Sequence, residues 1–156
     1  TVSIGHSTSE TTIGDNLTVS GDATVSGVLD NTTIQSYKET IVAVTNSTAT
    51  VTFDMADGNV FASMGANAID ADVTVLIFTG MTAGQSATWI VEKEGAVDIT
   101  FGTVKVDSGT DVGFFPGGEI PDVTAIDTKI DIYTFFMNSD NKIYVMTGGI
   151  NFGADS

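Results

Sequence analysis

The stretch TIVAVTNSTATVTFDM, Thr40–Met55, decides the fold. Apolar residues interleave with Thr and Ala on both sides of Asn46-Ser47: Ile41, Val42 and Val44 lead in, and Val51 and Phe53 lead out. A period of two places neighbouring side chains on opposite faces of an extended chain, and Asn and Ser supply turn chemistry. The spacing therefore predicts a β-hairpin built on those five apolar residues.

Outward from this stretch the same grammar continues. DVTVLIFTGM and SATWIVEKEG read as consecutive strands, with Met81, Gly84 and Gln85 in the turn between them. VDITFGTVKVD follows, then the Gly/Pro-rich loop GFFPGGEIPD, and finally KIDIYTFFMN and KIYVMTGGINF, joined by Ser139-Asp140-Asn141. Helix signals are nearly absent; only Asn59 to Ala71 has the Ala content for a single turn. Residues 37–156 thus read as an all-β head of roughly seven or eight strands, an antiparallel β-sandwich or barrel-like fold.

Residues 1–36 differ in kind. Ser, Thr, Gly, Asp and Asn dominate, no aromatic residue precedes Tyr37, and the text repeats on a six-residue spacing as TTIGDN, LTVSGD, ATVSGV. Ile13, Val19 and Val25 share one column, and Leu17 and Ala23 sit two residues before the last two of them. Such a unit cannot bury its apolar face alone, and three copies leave almost nothing to stack above or below. The expectation is a short repeat arm or shaft that buries Ile13, Leu17, Val19, Ala23 and Val25 by associating with identical copies or with another protein.

Composition narrows the function classes. The 156 residues carry 20 acids against five lysines, no arginine and no cysteine, for a net charge of -15. Neutralising nucleic-acid phosphates takes a basic stripe that five scattered lysines cannot form, and anionic membrane surfaces are disfavoured for the same reason. Without cysteine there are no disulfides and no thiolate chemistry. The longest apolar runs, such as VTVLIF, fall far short of the ~20 residues of a membrane-spanning helix, and no segment has the basic start and apolar centre of a signal peptide.

Candidate chemistry thins quickly. His6 is the only histidine and lies in the repeat arm, so a Ser-His-Asp triad has no evident setting. Glu92, Glu94, Asp98, Asp107, Asp111, Glu119 and Asp122 offer carboxylate pairs of the kind that cleave glycosides, but so acidic a chain forms pairs by chance, and solvated surface is the simpler reading. Asp54, Asp57 and Asn59 in DMADGN offer hard oxygens to Ca²⁺, yet the twelve-residue loop with its closing Glu is missing, and these are also ordinary hairpin residues. Asn16, Asn31 and Asn46 each begin an N-x-Ser/Thr pattern, which Thr-rich chains generate freely. Phe135 and Phe136 are strand neighbours, so one faces inward and the other needs a partner surface.

The last segment, YTFFMNSDNKIYVMTGGINF, with FDMADGNVFASMGAN and the Gly117-Gly118 to Pro121 loop, resembles a C-terminal module of tailed-bacteriophage virion proteins. The matching positions are Gly58–Phe61 for "G-N-V-F", Gly117–Pro121 for "G-G-x-x-P", Asp131–Phe135 for "D-x-x-T-F" and Gly149–Phe152 for "G-x-x-F". Where that module often has tryptophans ahead of its Gly-Gly loop, this chain has Phe101 and Phe114. The LTVSGD phrases similarly look like the short shafts that precede such modules in marine phages. The resemblance implies a homotrimeric, non-enzymatic virion component without cofactors. It would be a tail or head fibre, spike or capsid decoration protein whose partners are its own copies, other capsid, tail or portal-proximal proteins, and a host-surface glycan or receptor. The rival readings are a glycan-cleaving spike and a cellular surface filament subunit that donates its leader as a strand.

Overall fold

The computed structural model describes residues 14, 17–25, 27, 30, 32–35, 37–46, 48–121 and 129–153. The chain divides into two compact units, Thr1–Tyr37 and Lys38–Ser156. The described residues of the first unit form no strand pairing, and Ile13 and His6 lie outside them. The described residues of the second unit are nearly all β, with two single 3₁₀ turns and no α-helix.

Among the described residues nine strands form two sheets. In chain order they are β1 (Ile41–Ala43), β2 (Thr50–Asp54), β3 (Val60–Ser63), β4 (Val73–Thr79), β5 (Ser86–Glu92), β6 (Ile99–Val106), β7 (Gly113–Phe114), β8 (Ile130–Met137) and β9 (Ile143–Phe152). One sheet runs β1-β3-β5-β8-β9-β7 and the other β2-β4-β6. The chain alternates between them from β1 to β6, and every neighbouring pair among these six strands is parallel. Three coils are thereby stacked in a β-solenoid-like winding. The ladder of the first sheet steps from Ile41 to Val60 to Thr88, and that of the second from Thr50 to Val75 to Thr103.

The hairpin expected in Thr40–Met55 is therefore not formed. β1 and β2 lie in different sheets, each paired to a strand one coil further on. Asn46 is buried at the corner between them, and its Nδ2 donates to the carbonyls of Thr48 at 3.1 Å and Ala71 at 2.7 Å. The Ala71 bond reaches the corresponding corner of the next coil, so the side chain read as a hairpin turn is a tie between layers. β4 and β5 likewise occupy different sheets, and Met81, Gly84 and Gln85 form a corner. The antiparallel pattern expected throughout the head holds only for β5-β8 and β8-β9, where KIDIYTFFMN and KIYVMTGGINF form the expected pair. In Asn59 to Ala71 the expected turn is the 3₁₀ turn Gly65–Asn67, and the residues before it form β3.

Parallel registry stacks like on like. Val42, Phe61, Trp89 and Tyr133 form one column of the first sheet, and Phe53 and Phe78 occupy one column of the second. Within the second sheet Phe53 stacks on Phe78 at 4.8 Å, and across the two sheets Phe78 meets Phe135 at 4.8 Å and Phe101 meets Tyr133 edge-on at 4.7 Å. Such pairs add about 0.5–1.5 kcal/mol each beyond simple burial. The only tryptophan, Trp89, is fully buried, and its Nε1–H donates to Ser63 Oγ, which in turn donates to the Val44 carbonyl.

Two departures from ideal pairing shape the edges of this core. Between the pairs Val73↔Ile99 and Val75↔Thr103, β6 carries extra residues, and Phe101 there takes a φ of 47°. The bulge turns the Phe101 ring into the core while shifting the inward phase from Ile99 to Val104. At the far end, a Cβ on Gly149 would run into the Phe152 ring, so the G-x-x-F spacing lets β9 fold its last aromatic back over its own backbone. Gly58 has a similar reason: a Cβ there would meet Val42 Cγ2 at 3.1 Å and the Thr40 carbonyl at 3.3 Å, where adjacent coils approach.

Candidate interaction surface

The carboxylates singled out in the sequence are distributed among the corners of the winding. Glu92 Oε2 accepts the Gly65 N–H at 2.8 Å and Asp107 Oδ1 the Gly80 N–H at 3.0 Å, while Asp98 takes part through its backbone N–H, which donates at 2.8 Å to Oδ1 of Asp72, an acid outside the set read from the sequence. Asp111 Oδ1 accepts two N–H groups, from Val104 at 3.0 Å and Gly113 at 3.1 Å. Each supplies an acceptor to a backbone donor, at a corner for Glu92, Asp107 and Asp72 and along the open edge of β6 for Asp111. Glu94 and Glu119 are not buried, and Asp122 lies outside the described residues. Among the described residues, no three His, Cys, Asp or Glu side chains gather to hold a metal ion.

The Ca²⁺ candidate has a local structural use. Asp54 Oδ1 accepts the Ala56 N–H at 2.9 Å, the Asp57 N–H reaches the Asp54 carbonyl at 3.1 Å, and Asn59 Nδ2 donates to Glu39 Oε1 at 3.2 Å. These bonds shape the corner between β2 and β3. Asp131, a second conspicuous acid, is buried between β8 and β9; it accepts from Tyr133 Oη at 3.2 Å and from the Asn151 N–H at 2.7 Å.

The surface that stands out is apolar. On the outer face of the six-stranded sheet, cross-strand pairing aligns Ile41, Val60, Thr88, Thr134 and Met146 in one row, and Ala43, Ala62, Ile90 and Ile132 in the next. A third row sets Phe136 of β8, Tyr144 of β9 and Phe114 of β7 side by side. Phe136, Tyr144 and Phe114 are 38%, 42% and 46% exposed. The Tyr144 and Phe114 rings meet edge-on at 6.1 Å, Lys142 Nζ stands 5.3 Å over the Phe114 ring, and Asn138 Nδ2 donates to Tyr144 Oη. Of all the carboxylates, only Glu92 occupies an outward position on these six strands, at the end of β5.

The assembly residues expected from the sequence divide between the units. Leu17, Val19 and Val25 stand 68%, 49% and 53% exposed, and Ala23 is exposed beside them. Phe135 is fully buried against Phe53 and Phe78, whereas Phe136 points outward. Phe114 and Tyr144 stand out in the sequence as aromatics suited to recognition, but neither their meeting with Phe136 on one surface nor the contribution of Met146 was read from it. The outward alternation in KIYVMTGG was the signal for Tyr144 and Met146, but Phe114 reaches β9 through a parallel pairing that local spacing does not encode. Among the described residues no helix is long and apolar enough to cross a membrane. Compared with protein families, curated proteins and solved structures, the chain matches none of them.

Proposed function

We propose that this protein is a non-enzymatic structural component of a phage particle, a fibre, spike or capsid decoration protein that assembles as a homotrimer and mediates attachment or capsid stabilisation. The observation that carries the reading is that both units expose large apolar side chains in ordered strings, although the chain is charged enough to remain soluble without them. Exposed apolar surface of this kind marks interaction sites rather than chemistry. Burying it contributes roughly 25 cal/mol per Å².

Further support comes from what the motif residues do. Gly58 lets adjacent coils approach, Asp131 ties β8 to β9 through the Asn151 N–H, and Gly149 makes room for the Phe152 ring within β9, as a module defined by its fold rather than by a site requires. In this reading the two facing sheets take the place of the sandwich head, and residues 1–36 serve for attachment or trimerisation. Threefold copies give each weak contact with a capsid, tail or host glycan avidity.

The test is to label purified particles with an antibody against the head and image them. Labelled particles are the expected result, and particles left bare at saturating antibody would remove the virion assignment. Release of reducing ends from host polysaccharide by the purified protein would remove the non-enzymatic one.

A further inference from the structure

We propose that the outer edge of β2 is completed by a strand from a second copy of this chain, the phrase Ala23-Thr24-Val25-Ser26 of that copy's repeat arm. The proposal rests on the self-assembly part of the reading above and not on its particle setting. It names which segment of one copy meets which edge of the next.

The two ends of the three-stranded sheet are finished differently. At the last coil the edge of β6 is occupied: Val104 gives its N–H to Asp111 Oδ1 and its carbonyl accepts the Val112 N–H, while Asp111 bridges to Lys105. At the first coil β2 is the outermost strand, and among the described residues nothing forms a ladder on its far side. The Val75 N–H donates to the Ala49 carbonyl and the Met55 N–H to the Thr79 carbonyl, so the alternate residues Val51 and Phe53 turn their backbone groups to β4. Those of Thr50 and Thr52 point to the open side, where the Thr50 N–H has only the Thr48 hydroxyl, at 3.4 Å. This edge has no Pro and no bulge to blunt it, and its one charge, Asp54, stands at its end.

Register selects the occupant. Ala-Thr-Val occurs twice in the sequence, as Ala49-Thr50-Val51 leading β2 and as Ala23-Thr24-Val25 in the arm, followed by Thr52 and Ser26 respectively. Across the three-stranded sheet Thr50, Val75 and Thr103 form one outward column, and Val51, Leu76 and Val104 the neighbouring inward one. Laid parallel on the β2 edge, the arm phrase adds Thr24 to the first column and Val25 to the second, so a fourth layer repeats the other three. The preceding repeat, residues 17–22, fits less well in the same register, because it sets Asp22 against Asp54, whereas residues 23–28 set Val28 there.

Within one chain the described arm residues pair with no strand, and Val25 is left 53% exposed. Each molecule thus carries one unfilled edge and one unpaired phrase that fits it, and a neighbouring copy supplies both. Main-chain bonds along the edge give affinity, and the alternate side chains fix the register. Because edge and phrase are different surfaces, the contact runs head to tail, and a head-to-tail contact can close on itself at three copies, as the trimer requires.

The experiment uses the full chain at high salt. The sequence has no cysteine, so Thr24→Cys and Thr50→Cys chains, made separately and then mixed, can be joined only between copies. A mixed disulfide at this pair is the expected result on mild oxidation, and none is expected between Thr24→Cys and Thr103→Cys, which shares the column of Thr50 but lies on β6. Thr52→Pro gives a second measurement. It removes an N–H that faces the open side, so the head is expected to keep its Trp89 fluorescence and melting temperature while association measured by sedimentation weakens about tenfold or more. If assembled copies give no link between positions 24 and 50, or a folded Thr52→Pro associates as the parent does, this edge is not the interface, although self-assembly stands. A double Thr24→Cys/Thr50→Cys chain that closes on itself as a dilute monomer gives the edge to the chain's own arm and overturns the second copy as its occupant. Linked copies of a protein that never labels particles would leave the pairing intact and remove the virion assignment. A parent chain that is monomeric at every concentration overturns both the pairing and the homotrimer.

Discussion

At the scale of single residues, the buried polar atoms are the points where this core is most exposed to substitution. Ser63 Oγ is an acceptor for Trp89 Nε1–H at 3.0 Å and a donor to the Val44 carbonyl at 2.9 Å, so one hydroxyl satisfies groups from two further positions in the first sheet and its corner. Ser63→Ala removes both bonds without opening a large cavity. The expected loss is about 1–3 kcal/mol, the cost of leaving buried partners unsatisfied, read by urea unfolding with Trp89 as the reporter. An unchanged midpoint would mean that the indole N–H finds another acceptor. Asn46 makes a parallel case: both of its amide hydrogens are committed, so Asn46→Asp, which cannot donate them, is expected to lower stability by a similar amount. Neither role was legible in the sequence. Asn46 looked like turn chemistry and a glycosylation pattern because its partner, Ala71, is distant along the chain and becomes a neighbour only when coils stack.

At the scale of elements, the positions of most strands could be read from the alternation of apolar residues, but their partners could not. TVTFD and VTVLIF look the same whether they close a hairpin or stack as successive layers, since the inward set is identical in both. The corners decide, and they follow no fixed repeat: the six residues from Val44 to Ala49 and the longer Met64 to Asp72 corner lead to equivalent strands. Phe101 shows the same limit within one strand. Simple alternation puts Thr103 and Lys105 in phase with Phe101, whereas the bulge at a φ of 47° hands the inward phase to Val104. The last hairpin was legible because Ser139-Asp140-Asn141 joins strands that do pair. The parallel registry can be tested directly. Thr52 and Ile77 are ladder partners with outward side chains, so the double variant Thr52→Cys/Ile77→Cys is expected to close an intramolecular disulfide on oxidation with the fold retained. Failure to close it, with both thiols reactive, would mean that β2 does not lie beside β4. In the core beneath, Phe78→Ala is expected to cost about 3–5 kcal/mol, since its ring contacts both Phe53 and Phe135 between the sheets.

For the whole molecule, charge and apolar surface act against each other, and ionic strength sets which one prevails. Two copies at -15 repel at a distance, while the strings at Leu17, Val19 and Val25 and the row at Phe136 and Tyr144 attract only on contact. Raising ionic strength tenfold shortens the Debye length about threefold, which weakens the repulsion and leaves apolar burial in place or slightly strengthened. Association of the full chain is therefore expected to tighten as salt rises, with the mean mass climbing from monomer toward trimer in sedimentation runs along a salt series at fixed protein concentration. The sign is diagnostic. An interface held by ion pairs weakens with salt, and the five lysines are too few to neutralise 20 acids in any arrangement of identical copies. A mean mass that falls with salt would show that charge pairing holds the copies together, in conflict with an apolar contact. If the mass rises with salt while Tyr144→Asp cancels the rise and Thr52→Asp does not, the attraction is located on the six-stranded sheet; if Leu17→Asp cancels it instead, the arm carries the assembly.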